Sequence, residues 1–253
     1  NAVSQVFNRY EEKYIIDMDT YHRLLERLEG YVYPDQYSQG GKGYAVNNLY
    51  LDTDDDWFIR NSLQRPPYKE KLRLRCYGQP DADSLIYYEI KKKICRMVNK
   101  RRTSMTLQDA VAFTTTHILP SSDQNSQVLR EIAYILHNFS PYPKVALFYD
   151  RAAYYSPDDK TLRITFDTNL RARRDKLDFC HGRGGQYIIP PDKVVMEIKV
   201  PHSLPLWLAR IISEMQIVTQ TFSKYGTEYR QYLHQQYLYG EYIPEECCQV
   251  TKL

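Results

Sequence analysis

No stretch of the sequence approaches the roughly 18 consecutive apolar residues of a membrane-spanning helix, so no transmembrane span is expected. No apolar run opens the chain, so no signal peptide is expected. The chain begins at Asn1 and not at Met, as a trimmed chain does. Cysteine is scarce, with five residues: Cys76, Cys95, Cys180, Cys247 and Cys248. An odd count without zinc-type or disulfide-framework spacing points to reduced thiols and a cytoplasmic setting. GxxxxGK[ST], a Gly-rich kinase loop and HExxH are all absent, which excludes the phosphate-loop, kinase and zincin motif classes. The six histidines are scattered and support no Ser-His-Asp arrangement. There is no internal repeat, low-complexity tract or evident linker, so one domain over residues 1–253 is expected, with its core at about 7–230. Excess charge is also missing: 34 Lys plus Arg stand against 31 Asp plus Glu, a net of +3. Any basic site must therefore come from arrangement.

What is present is a pattern. Lys71-Leu72-Arg73-Leu74-Arg75-Cys76 alternates basic and apolar residues with period two. On a β-strand this sets Lys71, Arg73 and Arg75 on one face and Leu72, Leu74 and Cys76 on the other. An edge strand with its charges in water would show the same alternation. Other segments repeat it. Phe7 to Ile16 reads as a strand with Arg9, Glu11 and Lys13 on one face. Leu85 to Ile94 places Glu89, Lys91 and Lys93 together, with Lys92 breaking the apolar side. Met97 to Met105 sets Lys100 beside Arg102. Strands are also expected at Asn47 to Thr53, Pro143 to Tyr155, Thr161 to Asn169 and Val194 to Val200. On the last three, Tyr149 and Arg151 share a face, as do Arg163, Thr165 and Asp167, and Glu197 and Lys199. The 24 tyrosines suit half-buried strands.

Helices are expected after Asp17 or Asp19, either of which can cap the first, ending at Gly30, at Leu107 to Thr114, Ser126 to Asn138 and Leu204 to Met215, and C-terminally at about 224–238. Asp54 is expected to begin a short helical turn towards Asn61. Arg171 to Gly185, polar and glycine-rich, reads as a mobile loop, as does the stretch around Gly40, Gly41 and Gly43.

On the strand faces of Arg9, Lys71, Glu89 and Lys100, every charged residue except Glu11 and Glu89 is basic. A solvated sheet face would mix signs to limit cross-strand repulsion. A sheet with apolar outer and basic inner faces can close into a barrel whose lumen attracts anions. The fold expectation is α+β: a closed antiparallel barrel of roughly eight strands with a basic lumen, covered outside by helices. A concave nucleic-acid groove and a plain solvated sheet remain the open alternatives. Glu11, Glu89 and Glu197, the acids within the basic set, are either salt-bridge partners or ligands of a hard cation, Mg2+ or Mn2+, that shares phosphate oxygens.

RYEEKY (9–14), LYLDT (49–53), KLRLRCYG (71–78), YYEIKKK (87–93), FYDRAAY (148–154), LRITFDT (162–168), VVMEIKV (194–200) and FSKY (222–225) occur in this order. Together they resemble the VTC domain, the polyphosphate polymerase domain of the vacuolar transporter chaperone type, within the triphosphate tunnel metalloenzyme or CYTH-like superfamily. The resemblance implies a β-barrel tunnel that uses ATP with Mn2+ or Mg2+ and adds the γ-phosphoryl group to a growing polyphosphate. It implies catalytic roles for Lys13, Arg73, Arg75, Lys91, Arg151, Arg163 and Lys224, and Lys199, from the strand pattern alone, is expected to join them. Phosphate contacts fall on Arg9, Lys71, Lys93, Lys100 (with Arg101 and Arg102 as rivals), Tyr149 and Ser223, and metal contacts on Glu197, Glu89 and Glu11. Hydrolytic members carry ExExK where this sequence has Arg9-x-Glu11-x-Lys13, which favours the polymerase branch. Hydrolysis of inorganic or nucleoside triphosphate, and polyphosphate binding without catalysis, are the alternatives. A free-standing prokaryotic-type homologue is expected, with ATP and polyphosphate or triphosphate as partners, no nucleic acid, and a membrane-protein partner by analogy.

Overall fold

A computed structural model describes residues 10–38, 43–64, 66–81, 83–94, 97–120, 126–159 and 161–239. The strands among them are β1 (Tyr10–Asp17), β2 (Tyr33–Pro34), β3 (Tyr44–Asp52), β4 (Tyr68–Tyr77), β5 (Leu85–Ile94), β6 (Met97–Thr106), β7 (Tyr142–Tyr155), β8 (Arg163–Arg173), β9 (Gln186–Tyr187) and β10 (Lys193–Val200). The helices are α1 (Met18–Leu28), α2 (Trp57–Leu63), α3 (Leu107–Thr116), α4 (Ser126–Phe139), α5 (Leu206–Glu214) and α6 (Lys224–Tyr239). Hydrogen bonds order the long strands β1-β10-β8-β7-β3-β4-β5-β6, with β2 added to β7 and β9 to β8. The ladders of β1 with β10, β10 with β8, and β3 through β6 are antiparallel.

The chain is thus α+β with a large antiparallel sheet. Closure into a barrel is a different matter: no ladder joins β6 to β1 among the described residues. Alternating side chains specify which face of a strand is buried, not whether the two ends of a sheet meet.

Two compact units divide the chain. The first comprises Asn1–Ala45, Tyr149–Leu170 and Ile189–Phe222, and the second Val46–Phe148, Arg171–Ile188 and Ser223–Leu253. In the first unit, Tyr14 and Ile16 of β1, Ile164 and Phe166 of β8, and Met196, Ile198 and Val200 of β10 form one apolar face. Leu24 and Leu28 of α1, with Leu208, Ile211 and Ile212 of α5, cover it. Asp17 caps α1 by accepting from the Thr20 amide at 2.7 Å. Gly30, at φ +82°, turns the chain after α1.

The second unit repeats the design. Leu72, Leu74 and Cys76 of β4 pack with Ile86, Tyr88 and Ile90 of β5 under Phe113 of α3 and Leu129, Ile132, Ile135 and Leu136 of α4. Burying such side chains contributes about 1.5–3 kcal/mol each. Lys92, which interrupts the apolar side of β5, is answered there. Glu131 of α4 accepts from it at 3.4 Å and from Arg101 as well.

The segment expected to be a mobile loop is tied down. Arg173, at the end of β8, donates to the carbonyls of Asp175, Lys176, Asp178, Gly182 and Gly184 at 2.8–3.3 Å. Its guanidinium lies 4.8 Å over the Phe148 ring. Polar composition hid an organising cation. The expected loop around Gly40 and Gly41 lies outside the described residues. Gly43 is described, and there the backbone of Arg151 approaches so closely that a Cβ would meet its carbonyl oxygen at 2.7 Å. β2 and β9 have two residues each, too few to show a period. No described helix is long and apolar enough to cross a membrane.

Replacing Arg173 with Ala should leave five carbonyls without their shared donor. Amide hydrogen exchange across 175–184 should then accelerate at least tenfold, on the order of the 1.4 kcal/mol that one charged hydrogen bond supplies. Unchanged exchange in a folded variant would show that the segment holds itself.

Candidate functional site

In the second unit, the face of β4, β5 and β6 turned away from the core is a grid set by strand register. Lys71 pairs with Lys91, and Lys91 with Lys100, so three lysines form one cross-strand row. The next row runs Tyr50, Arg73, Glu89 and Arg102. Beyond it lie Asn48, Arg75 and Tyr87. On the other side Lys69 pairs with Lys93. Glu89 is the single carboxylate that these three strands place on this face.

Glu89 organises the cations around it. It is 1% exposed. Its Oε2 accepts from Arg73 Nε at 2.7 Å and Nη2 at 2.6 Å, with Arg75 Nη1 at 4.0 Å. Its Oε1 lies 2.9 Å from Lys100 Nζ. Burial alone would raise the Glu89 carboxyl, but Arg73, Arg75 and Lys100 outweigh it and hold the group well below the usual carboxylate range. Desolvation, aided by Arg73 and Arg75, pulls the Lys100 ammonium down to about 8 against the opposing pull of Glu89. Lys100 keeps 43% side-chain exposure, so it remains reachable by an anion. It joins this cluster, whereas Arg101 faces Glu131 and Arg102 lies 4.7 Å over the Tyr87 ring.

The arginines are held by residues that periodicity did not single out. Arg75 Nε donates to Asn48 Oδ1 at 2.9 Å, and Asn48 donates in turn to the Leu147 carbonyl at 3.0 Å. Arg73 Nη1 donates to the Tyr50 hydroxyl at 3.0 Å, and the Tyr50 ring stacks on Tyr225 at 4.7 Å. An asparagine inside a strand pattern was the available signal, because Asn is depleted in strands, and here it is fully buried. Lys71 Nζ donates to Ser223 Oγ at 3.0 Å. Ser223 also accepts from the Gly226 amide at 3.2 Å, which caps α6, whose first residue is Lys224.

In the first unit the corresponding face is a checkerboard. Lys13 pairs with Glu197, and Glu11 with Lys199. Lys13 Nζ lies 3.0 Å from Glu11, 3.8 Å from Glu197 and 3.2 Å from the Phe222 carbonyl oxygen. Lys199 Nζ lies 2.7 Å from Glu197. On β8, Thr165 pairs with Glu197 and Arg163 with Lys199. Arg151 forks onto Asp167 at 2.7 and 2.8 Å and lies 5.2 Å over the Tyr149 ring. Arg163 pairs with Asp35 at 2.9 Å. Desolvation opposes the charge of Arg151, but Asp167 more than compensates and raises its pKa further.

The expected residues therefore fall into two groups, one in each unit. Arg9 lies outside the described residues. No group of three His, Cys, Asp or Glu side chains forms a closed metal cluster among the described residues. The donor set around Lys13 is two carboxylates, with the buried Thr165 Oγ1 nearby in register and without a hydrogen-bond partner. Such oxygens fit a hard cation that brings its remaining ligands as phosphate oxygens and water. Glu89 fits that role less well: it is 1% exposed with cations at 2.6 and 2.9 Å on its two oxygens, whereas Glu197 holds one cation at 2.7 Å and the other only at 3.8 Å.

The depressed Glu89 carboxyl has a stability consequence with a definite sign. Its contribution is present above the unfolded value of about 4.3 and is lost as pH falls through the lower folded value. Glu89→Gln should cost about 3–5 kcal/mol at pH 7, because it leaves buried cations uncompensated. In urea unfolding, the gap between variant and parent should narrow as the pH drops below about 4. A pH-independent gap would assign the loss to packing.

The VTC domain family matches residues 8–233. Vacuolar transporter chaperone complex subunit 4 of Schizosaccharomyces pombe is 24% identical over 199 residues, which cover 69% of this chain and 27% of that protein. Its Trypanosoma brucei counterpart is 24% identical over 216 residues, with 70% and 27% covered. The chain thus spans about a quarter of the length of these curated relatives. Among solved structures, a candidate adenylate cyclase from Bacillus halodurans is similar in fold, with a TM-score of 0.51, 14% identity and coverage of 85% and 95% of the two chains. With the family match running through every long strand and into α6, the chain belongs to the VTC domain family.

Proposed function

We propose that this chain is a metal-assisted polyphosphate polymerase that transfers the γ-phosphoryl group of ATP to the end of a polyphosphate chain. The observation that carries this reading is the lysine row of β4, β5 and β6. Directly opposed like charges destabilise a sheet, yet Lys71, Lys91 and Lys100 stand in register. A linear polyanion offsets that repulsion, and a single small anion covers only part of it. Family membership and the two similar transporter chaperone subunits point the same way. Closure of the sheet into a basic tunnel belongs to this proposal.

Phosphoryl transfer asks mainly for positioning and charge stabilisation. Arg73 and Arg75 offer planar forks, pre-oriented by Glu89, Asn48 and Tyr50, to the oxygens of a triphosphate. Lys71, Lys91, Lys93, Lys100 and Arg102 supply charges to further phosphates, with Ser223 and Lys224 at the start of α6. In the first unit, Lys13, Arg151, Arg163 and Lys199, with Tyr149 beneath Arg151, take phosphate oxygens. Arg9 is assigned to the same task from the sequence. Glu197 and Glu11 would hold Mn2+ or Mg2+, which when bound neutralises charge on the transferred group. Glu89 acts as the counter-ion of the arginines. The acceptor phosphate is already ionised, so no general base is required.

Incubation with ATP and Mn2+ decides the reading. Long-chain product is expected, whereas phosphate release alone would make the chain a hydrolase and tight binding without turnover a polyphosphate receptor. Glu197→Ala should abolish metal-dependent turnover while polyphosphate still binds, and full activity at saturating ATP would remove Glu197 from the site.

Arg73→Ala should weaken tripolyphosphate binding by tenfold or more, on the order of the 1.5–3 kcal/mol typical of charged hydrogen bonds. Added salt should weaken the parent further. Calorimetry showing equal affinities would turn this side chain away from the ligand.

A further inference from the structure

We propose that the Thr165 hydroxyl is a further oxygen ligand of the divalent cation, either directly or through one bound water. Thr165 is 5% exposed, and its Oγ1 has no hydrogen-bond partner among the described residues. Buried hydroxyls are almost always partnered, so an orphan marks a place where an ion or water belongs. Strand alternation aims it: Ile164 and Phe166 enter the apolar core, so Thr165 shares the opposite face with Arg163 and Asp167. Its register partner on β10 is Glu197.

The neighbouring groups select the ligand. Glu197 is bracketed by Lys13 at 3.8 Å and Lys199 at 2.7 Å. Arg151 and Asp167 neutralise one another through a bidentate pair, and Arg163 is engaged by Asp35. A bare phosphate oxygen next to Glu197 would meet a carboxylate. A hard cation is attracted by it and gains a neutral oxygen from Thr165, leaving its other positions to water and phosphate. Valine has the same shape without the oxygen, so it removes the ligand and keeps the packing.

This inference rests on Glu197 as the metal carboxylate, and the experiment keeps the two apart. Mn2+ binding to the full chain is followed by electron paramagnetic resonance, and the melting temperature is measured with and without Mn2+. Thr165→Val should weaken Mn2+ on the order of tenfold. It should shrink the Mn2+-induced shift in melting temperature, while Thr165→Ser stays close to the parent. Unchanged Mn2+ affinity in Thr165→Val would overturn the inference. Loss of metal-free tripolyphosphate affinity with Mn2+ affinity intact would overturn it too, by assigning the hydroxyl to phosphate. Glu197→Gln serves as the control. If that variant loses Mn2+ and Thr165→Val does not, only the Thr165 assignment fails. If Glu197→Gln keeps Mn2+, the underlying metal reading fails.

Discussion

The second unit depends on one buried carboxylate. Glu89 lets Arg73, Arg75 and Lys100 stand side by side on a half-buried sheet face. Without it, these cations would lose the carboxylate they share and repel one another more strongly. With it, the arginines become rigid: Arg73 is held at Nε and Nη2 by Glu89 and at Nη1 by Tyr50, and Arg75 is held at Nε by Asn48. Rigid donors bind a phosphate with little ordering cost.

The first unit handles charge differently. Its acids and bases alternate, Lys13 against Glu197 and Glu11 against Lys199, and Arg151 is matched by Asp167. The two faces thus differ in how their charges are arranged. A cation-rich grid suits a run of phosphates, and a mixed face with an orphaned hydroxyl suits a metal ion.

Much of this was legible because strands have period two. KLRLRCY, YYEIKKK and VVMEIKV each state their own apolar face, and the cores follow those faces. Local signals also held: Asp17 caps α1, and α4 buries the residues that helical spacing marks. What stayed hidden is long-range. Asp35 meets Arg163 from 128 residues away and Lys71 meets Ser223 from 152, and no period reports such pairs. Asn48 stands on a strand almost without charge, where period two marks no basic face, and Thr165, though read on the face of Arg163 and Asp167, carries no sequence mark of its unpartnered hydroxyl. Residues 174–185 form a loop, as their composition implies, but a polar, glycine-rich composition cannot show that 171–173 continue β8 or that Arg173 gathers the loop's carbonyls.

The central claim is that the charged faces are built for a linear polyanion. Thermal unfolding in the presence of phosphate species of increasing length, at equal total phosphorus and low salt, tests it directly. The account predicts that the melting temperature rises steeply from monophosphate to tripolyphosphate and longer chains, and that the rise shrinks as ionic strength increases. A stabilisation independent of chain length, or insensitive to salt, would contradict it.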